Sequence, residues 1–306
     1  MTLQADVKES PNGTAPRRGL WARYRRSFQR SGLTPEASTL FAIGAALVAV
    51  GITLGPITYL VLGGFRDLFQ YSNEPAGFPD PWLFGNYTDI LGAGTFWRQL
   101  FNSTIVALAT TLGVVILGTM AAYPLSRYRF KGREVVYVIF ITGLMFPLTV
   151  AILPLYLMIY DMGLVGNFFG LILPQIAYSL PITIVIMRPF LVALPKELEE
   201  AAFIDGVTRV GYFWRILLPL ARPAMVTVGV LAFLGSWNSY LLPLLILAGD
   251  PNNMTLPLGV TVYKGAHGSD MTAIMAYTSL AMIPALIFFI FMERRIVEGL
   301  SGAVKG

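Results

Sequence analysis

Apolar stretches free of Asp, Glu, Lys, Arg and His recur six times along the chain, and the charged positions gather in the segments between them. The stretches run from Ala37 to Phe65, Asn102 to Ser126, Val135 to Tyr160, Met162 to Met187, Pro223 to Gly249 and Met271 to Met292. A helix needs about 20 mostly apolar residues to cross a bilayer, so each window is long enough to span with some tilt. A strand in lipid would leave its backbone groups unpaired unless it closed into a barrel. The short alternating segments of barrel strands are absent here. The pattern predicts an all-α integral membrane protein with six transmembrane helices.

Composition agrees. Hydrophobic residues make up 55% of the 306 and charged residues 13%, where a soluble domain carries about 25% charged. The net charge of +5 suggests nucleic acid until it is located, and it lies in segments flanking apolar runs. Basic residues are retained on the cytoplasmic side, and 19 of the 22 Lys and Arg fall in alternate segments that include both ends. The expectation is therefore an N-terminus and a C-terminus that are both cytoplasmic. The chain divides into an Arg-rich cytoplasmic tail over 1–36, a six-span domain over 37–292 and a C-terminal cytoplasmic tail over 293–306. The first tail reads as largely disordered and in touch with anionic membrane lipid. Its Arg25-Arg26-Ser27-Phe28 faintly resembles a twin-arginine export signal, but the apolar run that follows is too long for a cleavable core. The outer connection 66–101 reads as a small folded cap, with Trp82, Tyr87, Phe96 and Trp97 at the membrane interface.

Several chemistries are excluded. Without cysteine and with one histidine, His267, there is no thiolate nucleophile, no metal cluster and no Ser/His/Asp set, so no catalytic or metal-ligating residue is expected. No G-x-x-x-x-G-K-[ST] cradles a nucleotide. The windows hold no ionisable residue of the kind that marks a proton relay, and Asp161 reads as a solvated loop carboxylate. A pore or transport subunit remains, its energy arriving from another polypeptide. A secondary carrier working without ATP and a membrane assembly partner that moves nothing are the rival readings. Prolines at 56, 124, 147, 154, 174, 181, 243 and 284 interrupt backbone ladders at membrane depth. Gly51 and Gly55 form a G-x-x-x-G that permits close helix approach.

The cytoplasmic loop 188–222 is amphipathic. After Pro195, Glu197, Glu199 and Glu200 place negative charge near the positive end of a helix dipole, and Gly206 supplies a C-terminal stop. A short helix over about 196–205 results, with Leu198, Ala201, Ala202 and Asp205 on one stripe open to a partner. Thr208 then caps a second short helix ending at Pro219. The product is a helix-turn-helix element between spans 4 and 5.

Glu200, Ala201 and Ala202, then Gly206 after three residues, and Ile216, Leu218 and Pro219 after nine more, reproduce the EAA-x3-G-x9-I-x-LP loop of permease subunits in binding-protein-dependent ABC importers. Residues FGNYTDIL from Phe84, Asn102-Ser103, AAYPLSRYRFKGR from Ala121, WNSYLLPLL from Trp237 and the terminal EGLSGAVKG resemble the carbohydrate-uptake branch, and most the second membrane subunit of maltose-type importers. The resemblance implies a loop helix that docks on a cytoplasmic ATPase dimer, with Glu200 near a basic residue of that ATPase, Ala201 and Ala202 allowing close approach, Phe203 and Asp205 on the same helix, and Gly206 making the turn. It also implies Gly302, Ala303, Val304 and Lys305 near the ATPase interface, and partners comprising a companion six-span permease and an extracytoplasmic sugar-binding protein. ATP and Mg would be bound by the ATPase, and this chain would hold no cofactor. Trp237 and Asn238 offer an aromatic face and an amide to a hydroxyl-rich ligand. Packing by Trp237 and an interhelical hydrogen bond by Asn238 is the other reading.

Overall fold

The computed structural model describes residues 35–265 and 268–304, with side chains at 39–264 and 270–293. The Arg-rich segment 1–34, His267 and Lys305 lie outside the described residues, as do the side chains of Ala303 and Val304. The long helices are α1 Pro35–Gly63, α4 Gly94–Arg127, α7 Phe168–Ala193, α10 Leu218–Trp237 and α13 Met271–Val304. Shorter ones are α2 Leu68–Asn73, α3 Gly85–Gly92, α5 Arg133–Gly143, α6 Leu148–Asp161, α8 Glu197–Ile204, α9 Arg209–Tyr212, α11 Leu241–Leu247 and α12 Leu256–Gly259. A two-residue antiparallel ladder, Lys264 with Ser269 and Gly265 with Gly268, is the exception to an all-helical chain among the described residues.

Contacts divide the chain into two units that meet at Thr58. In the first, the side chains of α1 from Thr39 to Pro56 are exposed, Leu40 at 71% and Phe41 at 75%. Gly51 and Gly55 meet no atom of the described residues within 4 Å of where a Cβ would stand. In the second unit α4 is the central helix, packed along α7 and α10, with α13 against α10. A Cβ at Gly113 would collide with Ile176, and one at Gly118 with Thr183. The small residues that let two helices touch are therefore on α4, where van der Waals contact replaces the hydrophobic drive missing in lipid.

Five helices are long and apolar enough to cross a membrane, and a bent pair, α5 with α6, makes a sixth candidate. That pair corrects the continuous third span, because its two parts meet at 99°. Pro147 has no N–H to donate and disfavours helical backbone at Phe146, and the chain turns through Leu144–Phe146 on bonds back to Ile141, Thr142 and Gly143. The fourth span is shifted. Gly163 and Gly166 adopt positive φ, Asn167 caps α7 through Phe169 N–H at 2.9 Å, and the helix continues past Arg188 to Ala193. Arg188 is admitted because Glu134 (2.6 Å), the Leu125 carbonyl (3.1 Å) and the Tyr137 ring (3.8 Å to its centroid) take up its charge. The fifth span begins earlier and ends earlier than its charge-free window, at Trp237, and the following residues form the separate α11.

The connection 66–101 folds on itself. Arg66, 2% exposed, donates to the carbonyls of Glu74 and Pro75 at 3.0 Å each, and the Phe65 ring gathers Trp82, Phe84 and Tyr87 within 5.3 Å. Trp82 and Trp97 are exposed, whereas Phe96 is buried against Tyr277.

Candidate functional site: the Glu197–Leu217 element and its anchors

The loop helix forms where the local signals place it. α8 runs Glu197–Ile204 with its carboxylates in the first turn. It ends in a Schellman closure, with Gly206 N–H bonded to Phe203 O at 3.1 Å and Val207 N–H to Ala202 O at 3.0 Å. Gly206 has φ +79° and open space around a would-be Cβ, so its requirement is conformational and not steric. Thr208 caps α9 by accepting from Gly211 N–H at 3.1 Å. The second helix does not stop at Pro219, which corrects the expected helix-turn-helix. It passes through a π-helical turn, Phe213–Leu217, directly into α10. Pro219 offers no N–H to the preceding turn, and widening that turn lets the helix run on.

The stripe of Leu198, Ala201, Ala202 and Asp205 is divided between two environments. Ala202 is buried in the chain's own core, whereas Leu198, Glu200, Ala201 and Asp205 are exposed. Phe203 is 37% exposed and lies 5.8 Å from the Tyr212 ring. Ile216 and Leu218 pack half-buried against the core and Pro219 is exposed. The carboxylate turned toward the bundle is Glu199. It accepts from the Tyr123 hydroxyl at 3.0 Å and stands 3.9 Å from Arg127 Nε. Arg127, with 2% of its side chain exposed, also donates to Leu194 O at 2.9 Å. Tyr128 donates to the Tyr123 hydroxyl at 3.0 Å, and Arg209 stands over the Tyr128 ring at 5.3 Å. Tyr123 and Arg127 were not singled out by the sequence, although they lie in the AAYPLSRYR segment that carries the resemblance, and Glu199 was named only for its place in the first turn.

At the other end of α4 the Asn102-Ser103 pair is built into a buried fastening. Asn102 Nδ2 donates to Asn252 O and Met254 O at 2.8 and 2.9 Å, Ser103 Oγ accepts from Leu256 N–H at 2.7 Å, and Tyr277 donates to Gln99 Oε1 at 2.6 Å. Between the two ends, Gln175 Oε1 accepts from Thr110 and Ser236 at 3.1 and 2.6 Å, linking α4, α7 and α10. Trp237 is 4% exposed and stacks on Phe233 at 5.6 Å. With exposed Asn238 it borders a cavity of about 330 Å³ against Val260, Tyr277, Thr278 and Ala281. Among the described residues no three His, Cys, Asp or Glu side chains are grouped to hold a metal.

Residues 114–300 match the family described as binding-protein-dependent transport system inner membrane component. The chain belongs to that family. Its segment from Val114 contains α8, Gly206 and the anchors Tyr123, Arg127 and Glu199, so the joint just described is within the matched portion. This inner membrane component is 33% identical to the diacetylchitobiose uptake system permease protein NgcG of Streptomyces coelicolor, over 82% of the chain and 83% of that protein. It is 34% identical to the trehalose/maltose transport system permease protein MalG of Thermococcus litoralis, over 87% and 96%. It is 32% identical to the arabinooligosaccharides transport system permease protein AraQ of Bacillus subtilis, over 88% and 95%. A crystal structure of a bacterial ABC transporter that imports the acidic polysaccharide alginate superposes with a TM-score of 0.71 at 22% identity, covering 86% of this chain and 98% of that one. It has the same fold.

Proposed function

We propose that this inner membrane component is the permease of an ATP-driven importer for a sugar or oligosaccharide handed over by an external binding protein. The relatives support the substrate class, since their names specify diacetylchitobiose, trehalose or maltose, and arabinooligosaccharides. In this reading six spans, the third of them broken, carry both termini on the cytoplasmic side, and a companion permease completes the path. ATP and Mg belong to a cytoplasmic ATPase dimer.

The observation that carries the reading is the joint at Glu199. A short helix presents Glu200, Ala201, Leu198 and Asp205 outward, while Glu199 fastens its inner face to the end of α4, Ala202 is buried in the core, and Arg127 ties the same end of α4 to Leu194 O just after α7. Its chain continues into α10 without a break. A push on the outer face is thereby delivered to three spans at once. Glu200 and Ala201 meet the ATPase, and Ala202 keeps the helix close to its own bundle. Residues 302–305 lie near the same interface. Trp237 is a packing residue, and Asn238 with Thr278 offers hydrogen bonds to a hydroxyl-rich ligand at the cavity rim.

The test is Gly206→Val. A β-branched residue at positive φ costs on the order of 1–3 kcal/mol in the turn, so the variant should reach the membrane at the normal level and lose uptake. The wild-type chain should copurify with a second six-span subunit and an ATPase whose turnover rises with sugar-loaded binding protein. Normal transport by the variant at equal expression, or uptake by this chain alone, overturns the assignment.

A further inference from the structure

Five basic residues gather around the turn between α4 and α5, and they are not equally neutralised. Arg127 has Glu199 and Leu194 O, while Arg133 and Arg188 share the one carboxylate of Glu134 at 2.7 and 2.6 Å. Arg129 and Lys131 are exposed and make no hydrogen bond or ion pair among the described residues. Between them Phe130 is 45% exposed. The turn is fixed in shape, because Gly132 takes φ +87° and its carbonyl begins α5 by accepting from Val136 N–H at 3.0 Å. Residues 129–135 enclose a concavity of about 580 Å³. Its rim continues into the exposed apolar side chains Val135, Val138 and Ile139, at 64%, 53% and 63%.

We propose that this turn is a headgroup site for an anionic phospholipid, with Arg129 and Lys131 on the phosphate and Phe130 beside the upper acyl chain. The inference rests on the chain spanning the membrane as read above, with this turn at the cytoplasmic surface. Four cations, Arg129, Lys131, Arg133 and Arg188, face one carboxylate there, which leaves local charge for an anion. A soluble anion would use the cations alone, whereas the aromatic and aliphatic rim adds a hydrocarbon partner that only a lipid satisfies.

The probe is phosphatidylglycerol offered to the full-length chain in uncharged detergent, with bound lipid counted by native mass spectrometry against phosphatidylcholine and inorganic phosphate. The wild type should retain phosphatidylglycerol in preference to phosphatidylcholine. Arg129→Gln and Lys131→Gln should each weaken it about fivefold, and Phe130→Ser should weaken it without affecting the residual response to phosphate. Equal retention of the two lipids, an unchanged double variant, or displacement of the lipid by inorganic phosphate overturns the proposal. So does loss of ATPase copurification in the double variant with lipid retention intact, which would make the turn a protein contact. The chain has no cysteine, so Lys131→Cys labelled by an impermeant reagent in intact cells tests the orientation separately. Labelling from outside removes the topology, and shielding with failed lipid selectivity removes the site alone. Circular dichroism at wild-type helicity shows that each variant is folded.

Discussion

Both ends of α4 are tied to the rest of the bundle, about 30 Å apart by the helix rise, and the two fastenings are made differently. At the Asn102 end, neutral side chains hold backbone. Asn102 spends both amide protons on carbonyls, Ser103 accepts a backbone N–H, and Tyr277 donates to Gln99. At the Tyr123 end, side chains hold side chains around a single ion pair, with one bond from Arg127 to the Leu194 carbonyl. Arg127 is buried, yet its Nε and Nη1 form no hydrogen bond, and the Tyr212 hydroxyl is likewise unpaired. A joint of neutral side chains bonded largely to backbone has one arrangement, whereas a joint with a guanidinium that keeps spare donors can exchange one set of bonds for another. The first is suited to hold a loop still. The second is suited to an element that moves.

The largest effect expected from breaking this contrast is that of Glu199→Ala. Removing the carboxylate leaves a buried guanidinium without its counter-charge, which costs about 3–5 kcal/mol, and thermal unfolding of the purified assembly should fall accordingly. Uptake per inserted molecule should be lost as well. Adding Arg127→Met removes the stranded charge, so the double variant should regain most of the stability while staying inactive. Recovery of transport along with stability would reduce the pair to a packing device.

The sequence carried some of this and not the rest, for physical reasons that particular residues make plain. α8 and its Gly206 closure were legible because helix dipole, turn geometry and positive φ are local. The span limits were less so. A window that stops at charge must stop at Arg188, but Glu134 and the Tyr137 ring lie on α5 and neutralise it, information no local window contains. The break at Pro147 was marked among the ladder-breaking prolines, while the 99° angle depends on how α5 and α6 pack afterwards. Ala202 looked equivalent to Ala201 on one stripe, and only the tertiary core distinguishes them. Glu199 was indistinguishable from its acidic neighbours because its partner Tyr123 is 76 residues away.

At the other fastening, Asn102→Ala strands the buried Met254 carbonyl and the half-buried Asn252 carbonyl and removes two hydrogen bonds, a loss of about 2–3 kcal/mol. The expected phenotype differs in kind from that of Glu199→Ala. Less protein should survive heating, yet each folded molecule should still transport, because this joint does not lie between the loop helix and the spans. Uptake normalised to folded protein is the measurement. A defect as deep as that of Glu199→Ala would erase the distinction between a fixed and a movable end.

The smallest effect, and the finest test, is Tyr128→Phe. The change deletes one hydrogen bond, Tyr128 Oη to Tyr123 Oη, and leaves the ring where it packs 5.3 Å from Tyr123 and beneath Arg209. The loss should be about 0.5–1.5 kcal/mol, with uptake retained, since Tyr123 still donates to Glu199. If the movable joint depends on its aromatic packing, Tyr128→Ala should do far more harm than Tyr128→Phe. If the two variants are equally impaired, the hydroxyl relay itself transmits the motion, and the spare donors on Arg127 would then serve to donate to Glu199 in a second arrangement.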